Sequence, residues 1–256
     1  MTINTHAWCN RRVALLNGNR DTRKGTRRAF KTITLGEVFA AADNPTALDK
    51  RSAKAIIPSS YASADARTHA VQRERGSFPM LAADIDRGNI ALAHIEAAVD
   101  TIFGAERASL IYSTASATCS SRKWRVIIPL TEPLPFQIWQ PAQQAFFDLL
   151  RTHQILPDVT LERAGQLIYL PNVPPKLRSE DGEPIFYECS VAEGSSVDLS
   201  SPNLARAIER LAEAAKVAEA KRLADRTAMQ LKKSLRPAAD DLSPIERFNA
   251  DNPLED

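Results

Sequence analysis

Apolar residues along this chain recur either at alternate positions or at every third to fourth position, and the two spacings mark strands and amphipathic helices. Arg11 to Leu16 reads as a short strand, closed by the turn Asn17-Gly18-Asn19. Thr34 to Ala42 reads as a helix, with Thr34 as N-cap, Glu37 at capping-box spacing and Asn44-Pro45 as the stop. Residues 50–77 are polar and mixed, and Ile56-Ile57 is their strong apolar pair. Met80 to Ile85 predicts a strand, and Leu92, Ile95, Val99 and Phe103 form a helical stripe. Two β-type runs follow, Ser109 to Thr114 and Lys123 to Pro129, joined by a Ser/Thr-rich loop. Trp139 to Leu150 has a helical pattern, Gln166 to Leu170 is strand-like, and Pro171, Pro174 and Pro175 break the chain before a last short strand at Ile185 to Glu188. This mixture predicts an α/β or α+β domain ending near residue 191.

The pattern changes after Glu193-Gly194-Ser195-Ser196. Asn203 to Leu235 contains neither Gly nor Pro, and Leu204, Ile208, Leu211, Ala215 and Ala218 keep a 3–4 spacing until Arg222 interrupts it. A long helix is expected here, packed along its first half and solvated afterwards. The segment Ser243-Pro244-Ile245-Glu246-Arg247-Phe248-Asn249 reads as polar linker.

Composition narrows the class. Apolar content of 44% and charged content of 25% suit a soluble globular protein. No apolar run nears the ~20 residues of a membrane span and no signal-peptide core is present, so no membrane partner is expected. Cys9, Cys119 and Cys189 are far apart and form no C-x-x-C pair, which argues against a zinc site or a disulfide framework and suits a reducing cytoplasm. The net charge of +2 conceals an asymmetry: Arg11, Arg12, Arg20, Arg23, Lys24, Arg27, Arg28 and Lys31 face a single early acid, Asp21. A basic arm of this kind is either a nucleic-acid contact or a solvated tail.

The chemistry centres on Ala82-Ala83-Asp84-Ile85-Asp86-Arg87-Gly88-Asn89. Side chains alternate along a strand, so Asp84 and Asp86 project to one side and Ile85 to the other. Two carboxylates one strand period apart repel unless a cation lies between them or one holds a proton. Taken alone, such a pair before a Gly-Asn turn is most often solvated turn chemistry. A hard divalent cation serving phosphate chemistry is the alternative.

Further blocks accompany the pair. They are Leu110-Ile111-Tyr112-Ser113-Thr114-Ala115-Ser116-Ala117-Thr118, Arg122-Lys123-Trp124-Arg125-Val126-Ile127-Ile128-Pro129-Leu130, Pro157-Asp158, and Gly165-Gln166-Leu167-Ile168-Tyr169-Leu170-Pro171-Asn172. In this order they resemble the archaeo-eukaryotic primase superfamily, and most of all the primase-polymerase domains of phage and plasmid replication proteins, over roughly residues 30–190.

The resemblance implies a mixed-sheet, primase-type α/β (α+β) core with flanking helices, followed by the long helix. It divides the chain into a basic N-terminal arm with a short strand (1–32), a catalytic domain (33–191), a charged helix (201–236) and a polar linker or tail (237–256). It also implies Mg²⁺ or Mn²⁺ on Asp84, Asp86 and Asp158, with Asp158 preferred over Glu162 and helix capping as its structural alternative. Nucleoside triphosphate contacts fall to Ser116, Thr118, Arg122, Lys123 and Arg125, with Lys123 and Arg125 on one face of their strand, and Gln166 and Tyr169 are candidates to line the nucleotide pocket. Single-stranded DNA template contacts fall to Arg67, Arg73, Arg75 and Arg87. The implied activity is DNA-dependent nucleotidyl transfer in phage or plasmid replication, with a helicase domain or partner C-terminal to this chain. The family's Ser-x-His loop is the departure, since Ala117 stands where the histidine is expected. Two alternatives follow: a catalytically degenerate primase domain that binds DNA as a replication-initiation module, and a D-x-D glycosyltransferase. The absence of a Cys/His cluster disfavours a Toprim-type bacterial primase.

Overall fold

The computed structural model describes residues 6–18, 29–49, 51–173, 186–234 and 243–252. The expected arm residues Arg20, Asp21, Arg23, Lys24, Arg27 and Arg28 lie outside the described residues, as does residue 185. The chain divides into two compact units, residues 1–209 and 210–256. None of the described helices is long and apolar enough to cross a membrane.

The first unit is α+β, built on two four-stranded antiparallel sheets. Its strands are β1 (Arg12–Asn17), β2 (Lys31–Thr34), β3 (Lys54–Ile57), β4 (Ser77–Ile85), β5 (Ser109–Ser113), β6 (Trp124–Pro135), β7 (Ile168–Tyr169) and β8 (Cys189–Ala192). One sheet has the order β2-β1-β3-β7 and the other β4-β6-β5-β8. The early strand therefore lies inside a sheet, with Val13, Ala14 and Leu16 fully buried.

The helices are α1 (Leu35–Ala40), α2 (His69–Arg75), α3 (Leu92–Phe103), α4 (Phe136–Thr152), α5 (Pro202–Ser234) and α6 (Pro244–Asp251). The Thr34/Glu37 capping box closes on α1, each partner satisfying the other's backbone N–H. Helix α4 buries Trp139, Ala142, Phe146 and Leu150, its 3–4 stripe, and Trp139 stacks on Phe78 of β4 at 4.4 Å between ring centroids.

Strand β4 is an edge strand, hydrogen-bonded to β6 on one side only. Its other side is not left to solvent. Trp139 Nε1 donates to Met80 O at 2.8 Å, Gln143 accepts from Ala82 N at 3.0 Å and donates to Ala82 O, and Asp158 N donates to Asp84 O at 2.7 Å. Residues 80, 82 and 84 are the alternate positions whose backbone groups face outward, so two side chains one helical turn apart do the work of a missing strand. This fixes the height of Asp84 against the sheet.

Three elements differ from the sequence reading. The last strand lies at Cys189–Ala192 rather than Ile185 to Glu188. Phe186 instead packs edge-on to Trp124 at 6.1 Å, and Tyr187 Oη donates to Ala42 O at 2.9 Å, so packing and not ladder pairing takes up their apolar character. On α5 burial stops early: Leu204 and Ala207 are buried, whereas Ala215 and Ala218 are exposed, because the packing surface ends before the stripe does. Asn203 Nδ2 anchors the start of α5 to Thr101 O and Ile102 O, both at 3.1 Å.

In the second unit, Pro244–Asp251 is helical where a linker was expected. Ser243 and Glu246 form a capping box with Pro244 in the first turn, a start signal hidden by the segment's polarity.

Candidate functional site

A cleft of about 290 Å³ opens where the two sheets meet. The β4-side sheet and its loops contribute Asp84, Asp86, Thr114, Ala115, Ser116, Lys123 and Arg125, while Ala53, Tyr169, Leu170 and Asn172 come from the β3/β7 side. The pair read from sequence thus stands in a cleft and not on an open turn. Asp84 lies within β4, and Asp86 follows just past its end and is exposed. The turn beyond is held in left-handed backbone at Gly88 (φ 93°) and Asn89 (φ 44°), conformations suited to Gly and Asn. Asn89 Oδ1 accepts from Arg122 N at 2.9 Å, and Trp124 Nε1 donates to Ile90 O at 2.8 Å. The turn carrying Asp86 is thereby pinned to the loop before β6.

Register explains the electrostatics. Arg125 on the central strand β6 sits directly opposite Asp84 on β4 and Tyr112 on β5. Its Nη2 lies 3.3 Å from Asp84 Oδ2, its Nη1 donates to Tyr169 O at 2.9 Å, and its guanidinium lies 5.6 Å from the Tyr169 ring centroid. Tyr112 Oη donates to the same Tyr169 O at 2.6 Å, joining the two sheets. Arg125 thus lines the cleft while bonded to Asp84 and to β7. Burial opposes its charge, but Asp84 and Tyr112 outweigh that and hold its pKa above the ordinary value. Burial likewise pushes the Tyr112 hydroxyl up to about 12.

Asp84 is held above the usual carboxylate range, first by burial and then by Asp86 and Asp158, against the opposing pull of Arg125. One of its oxygens, Oδ1, is buried without a hydrogen-bond partner. A carboxylate with an unpaired inner oxygen and two acidic neighbours has a deficit of positive charge, which a cation would fill.

The other expected residues divide. Ser116 and Lys123 line the cleft. Thr118 does not: it is buried, and its Oγ1 accepts from Ser121 N at 3.0 Å to close its own loop. Arg122 also lies outside the lining, as does Gln166. Asp158 reaches Asp84 through its backbone, but its carboxylate caps the 3₁₀ turn Val159–Glu162, taking Thr160 N at 2.9 Å and Thr160 Oγ1 at 2.8 Å. Among the described residues no three His, Cys, Asp or Glu side chains form a ready metal-binding group. Arg73, Arg75 and Arg87 are exposed and Arg67 is half-buried, and none of them lines the cleft.

Ala117, the position read as the missing histidine, is fully buried and is not among the residues that line the cleft, whereas Ala115 is. Sequence reading also passed over Ala53 and Leu170, which carry no chemical signal. Asn172 supports the cleft wall, with its amide bonded to Thr46 Oγ1 (2.8 Å), Leu48 N (2.9 Å) and Leu48 O (2.7 Å).

No protein-family model matches the chain, and no curated protein matches it. Among solved structures it is similar to the AEP domain of the cyanophage S-2L primase-polymerase (PrimPol), with 13% sequence identity and a TM-score of 0.42, over 78% of this chain and 89% of that one.

Proposed function

We propose that this chain is a metal-dependent nucleotidyltransferase that takes nucleoside triphosphates into the Asp84–Asp86 cleft and copies a single-stranded DNA template, as a primase-polymerase does. The observation that carries the reading is the unpartnered buried Oδ1 of Asp84 beside Asp86, in a cleft that also holds Lys123 and a Ser/Thr loop. Two carboxylates fit Mg²⁺ or Mn²⁺ better than a closed protein cage would, since such ions are commonly held by one or two carboxylates and completed by water and phosphate oxygens. When bound there, the ion supplies charge neutralisation on the triphosphate and lowers the pKa of the attacking hydroxyl.

The chain's own residues then have separate tasks. Arg125 holds Asp84 by Oδ2 and leaves Oδ1 unpaired, so it would act as a positioning residue for a carboxylate that holds the cation. Lys123 balances phosphate charge as a point cation, and Ser116 donates a hydroxyl hydrogen bond. Asp158 joins as a third ligand only by giving up its bonds to Thr160. The reaction joins a 3′-hydroxyl oxygen to the α-phosphorus and releases pyrophosphate, and positioning with electrostatics supplies the acceleration.

The test is primer synthesis on single-stranded DNA with Mn²⁺, alongside thermal stabilisation by nucleoside triphosphate plus Mn²⁺. Asp86→Ala, an exposed position, is expected to abolish both while leaving the unliganded melting temperature unchanged. Full activity in Asp86→Ala overturns the reading, and stabilisation by nucleotide-sugars alone favours the glycosyltransferase. The Arg125 clamp and the lack of an imidazole among the described residues of the cleft lining favour one second reading, a DNA-binding domain without synthesis. That reading predicts salt-sensitive DNA binding with no product.

A further inference from the structure

Enzymes that transfer phosphoryl and nucleotidyl groups often use two divalent ions, about 3.5–4 Å apart, and each ion needs oxygen ligands of its own. The carboxylate oxygens on offer in this cleft are few. Asp84 gives Oδ2 to Arg125 Nη2 at 3.3 Å and keeps Oδ1 unpaired. Asp158 accepts from Thr160 through both oxygens, from the backbone N–H at 2.9 Å and from the hydroxyl at 2.8 Å, and it is not among the residues that line the cleft. Asp86 and the inner oxygen of Asp84 remain, which suits a single ion completed by water and phosphate oxygens.

Cationic side chains already stand in the same cleft. Arg125 is held by three contacts: Nη2 to Asp84, Nη1 to Tyr169 O at 2.9 Å, and the guanidinium 5.6 Å from the Tyr169 ring centroid. It rises from the central strand β6, opposite Asp84 on β4 and Tyr112 on β5. Freeing Oδ2 for a second ion requires the guanidinium to leave this enclosed position or to share the carboxylate with a divalent cation. The first strands a buried charge, and the second sets like charges against each other. Lys123, immediately before β6, also lines the cleft and makes no ion pair among the described residues. Three carboxylates with two divalent ions have the same formal charge as three carboxylates with one such ion, a guanidinium and an ammonium.

We propose that the cleft holds one divalent ion, on Asp84 Oδ1 and Asp86, and that Arg125 and Lys123 are fixed cations in place of a second; this rests on the nucleotidyl-transfer reading and sharpens it. The triphosphate then meets one exchangeable charge and two that the fold supplies. Asp158 keeps its bonds to Thr160 and shapes the loop beside Asp84.

The test counts Mn²⁺ on the full chain by equilibrium dialysis and electron paramagnetic resonance, with and without a non-hydrolysable nucleoside triphosphate. One Mn²⁺ per chain is expected at saturation in both conditions, with no spin coupling between neighbouring Mn²⁺ ions. Asp158→Asn, which keeps an oxygen for Thr160 N, still holds one Mn²⁺, whereas Asp86→Ala holds none at the same concentration. Lys123→Ala leaves the count at one and weakens triphosphate binding by about tenfold, the loss of one charged hydrogen bond. Two Mn²⁺ per chain, a spin-coupled pair, or loss of the ion in Asp158→Asn overturns the single-ion cleft and leaves nucleotidyl transfer standing. Undiminished triphosphate binding in Lys123→Ala overturns the fixed-cation role. Wild-type protein that binds no Mn²⁺ overturns both the single ion and the reading beneath it, whereas one Mn²⁺ on a chain that makes no primer refutes synthesis alone.

Discussion

Replacing Arg125 with Met isolates the central electrostatic feature of the cleft. The pair it belongs to is well enclosed, with side-chain exposures of 12% for Arg125 and 18% for Asp84. Of the influences on Asp84, only Arg125 lowers its pKa, by charge and by hydrogen bond, while burial, Asp86 and Asp158 all raise it. Removing the guanidinium leaves every remaining influence on one side. Breaking one partner of a buried pair costs about 3–5 kcal/mol, and loss of the bond to Tyr169 O adds about 1 kcal/mol. The deficit must depend on pH. Asp84 binds its proton more tightly folded than unfolded, so its favourable contribution is complete below the unfolded value of 3.8 and disappears as pH rises through the higher folded value. Arg125→Met raises that folded value further, so its deficit is smallest in acid and full near neutrality. Urea denaturation followed by tryptophan fluorescence reports it cleanly, since Trp8, Trp124 and Trp139 all lie buried in the first unit. The double variant Asp84→Asn/Arg125→Met is expected to recover most of the loss, as the cycle of single and double variants will show. A deficit under about 1 kcal/mol, or one of equal size at about pH 5 and pH 7.5, would refute a buried, mutually dependent pair.

The histidine-loop register predicts a contrast between two neighbours. Ala117→His puts an imidazole at a fully buried position and is expected to destabilise by about 1–3 kcal/mol, whereas Ala115→His, in the cleft lining, is expected to fold normally; equal melting temperatures would reverse the assignment. Gln143→Leu keeps the volume but strips two partners from Ala82, an expected loss of about 2–5 kcal/mol in denaturant unfolding, and a loss near zero would mean water replaces the amide. Thr34→Ala removes the α1 cap and is expected to cost about 0.5–2 kcal/mol, with no effect on nucleotide binding.

The elements with strict periods were legible in the sequence. The α1 capping box, the β5 and β6 runs, and the α4 stripe all lie where spacing placed them, because local chemistry there agrees with tertiary packing. The acid pair was legible as a pair. Its engagement with Arg125 was not, since the contact spans 41 residues and depends on the β4/β6 register rather than on alternation within one strand. The same holds for the cleft's far wall, where Ala53 and Leu170 contribute position without chemistry. Strand β8 was misplaced because the aromatic pair Phe186-Tyr187 suggests a strand but packs outside the ladder.

The sealing of β4 also bears on how these molecules behave toward one another. Phe78 to Ala83 is an uncharged, apolar stretch at the rim of a sheet, the kind of strand that recruits a second copy and seeds insoluble assemblies. Pro79 interrupts one end, and Trp139 and Gln143 occupy the rest, so the rim offers no template while α4 stays docked. Protection of this rim is thus tied to a single helix face. Heat or mutation that loosens α4 is expected to produce aggregates before it produces a dispersed unfolded chain.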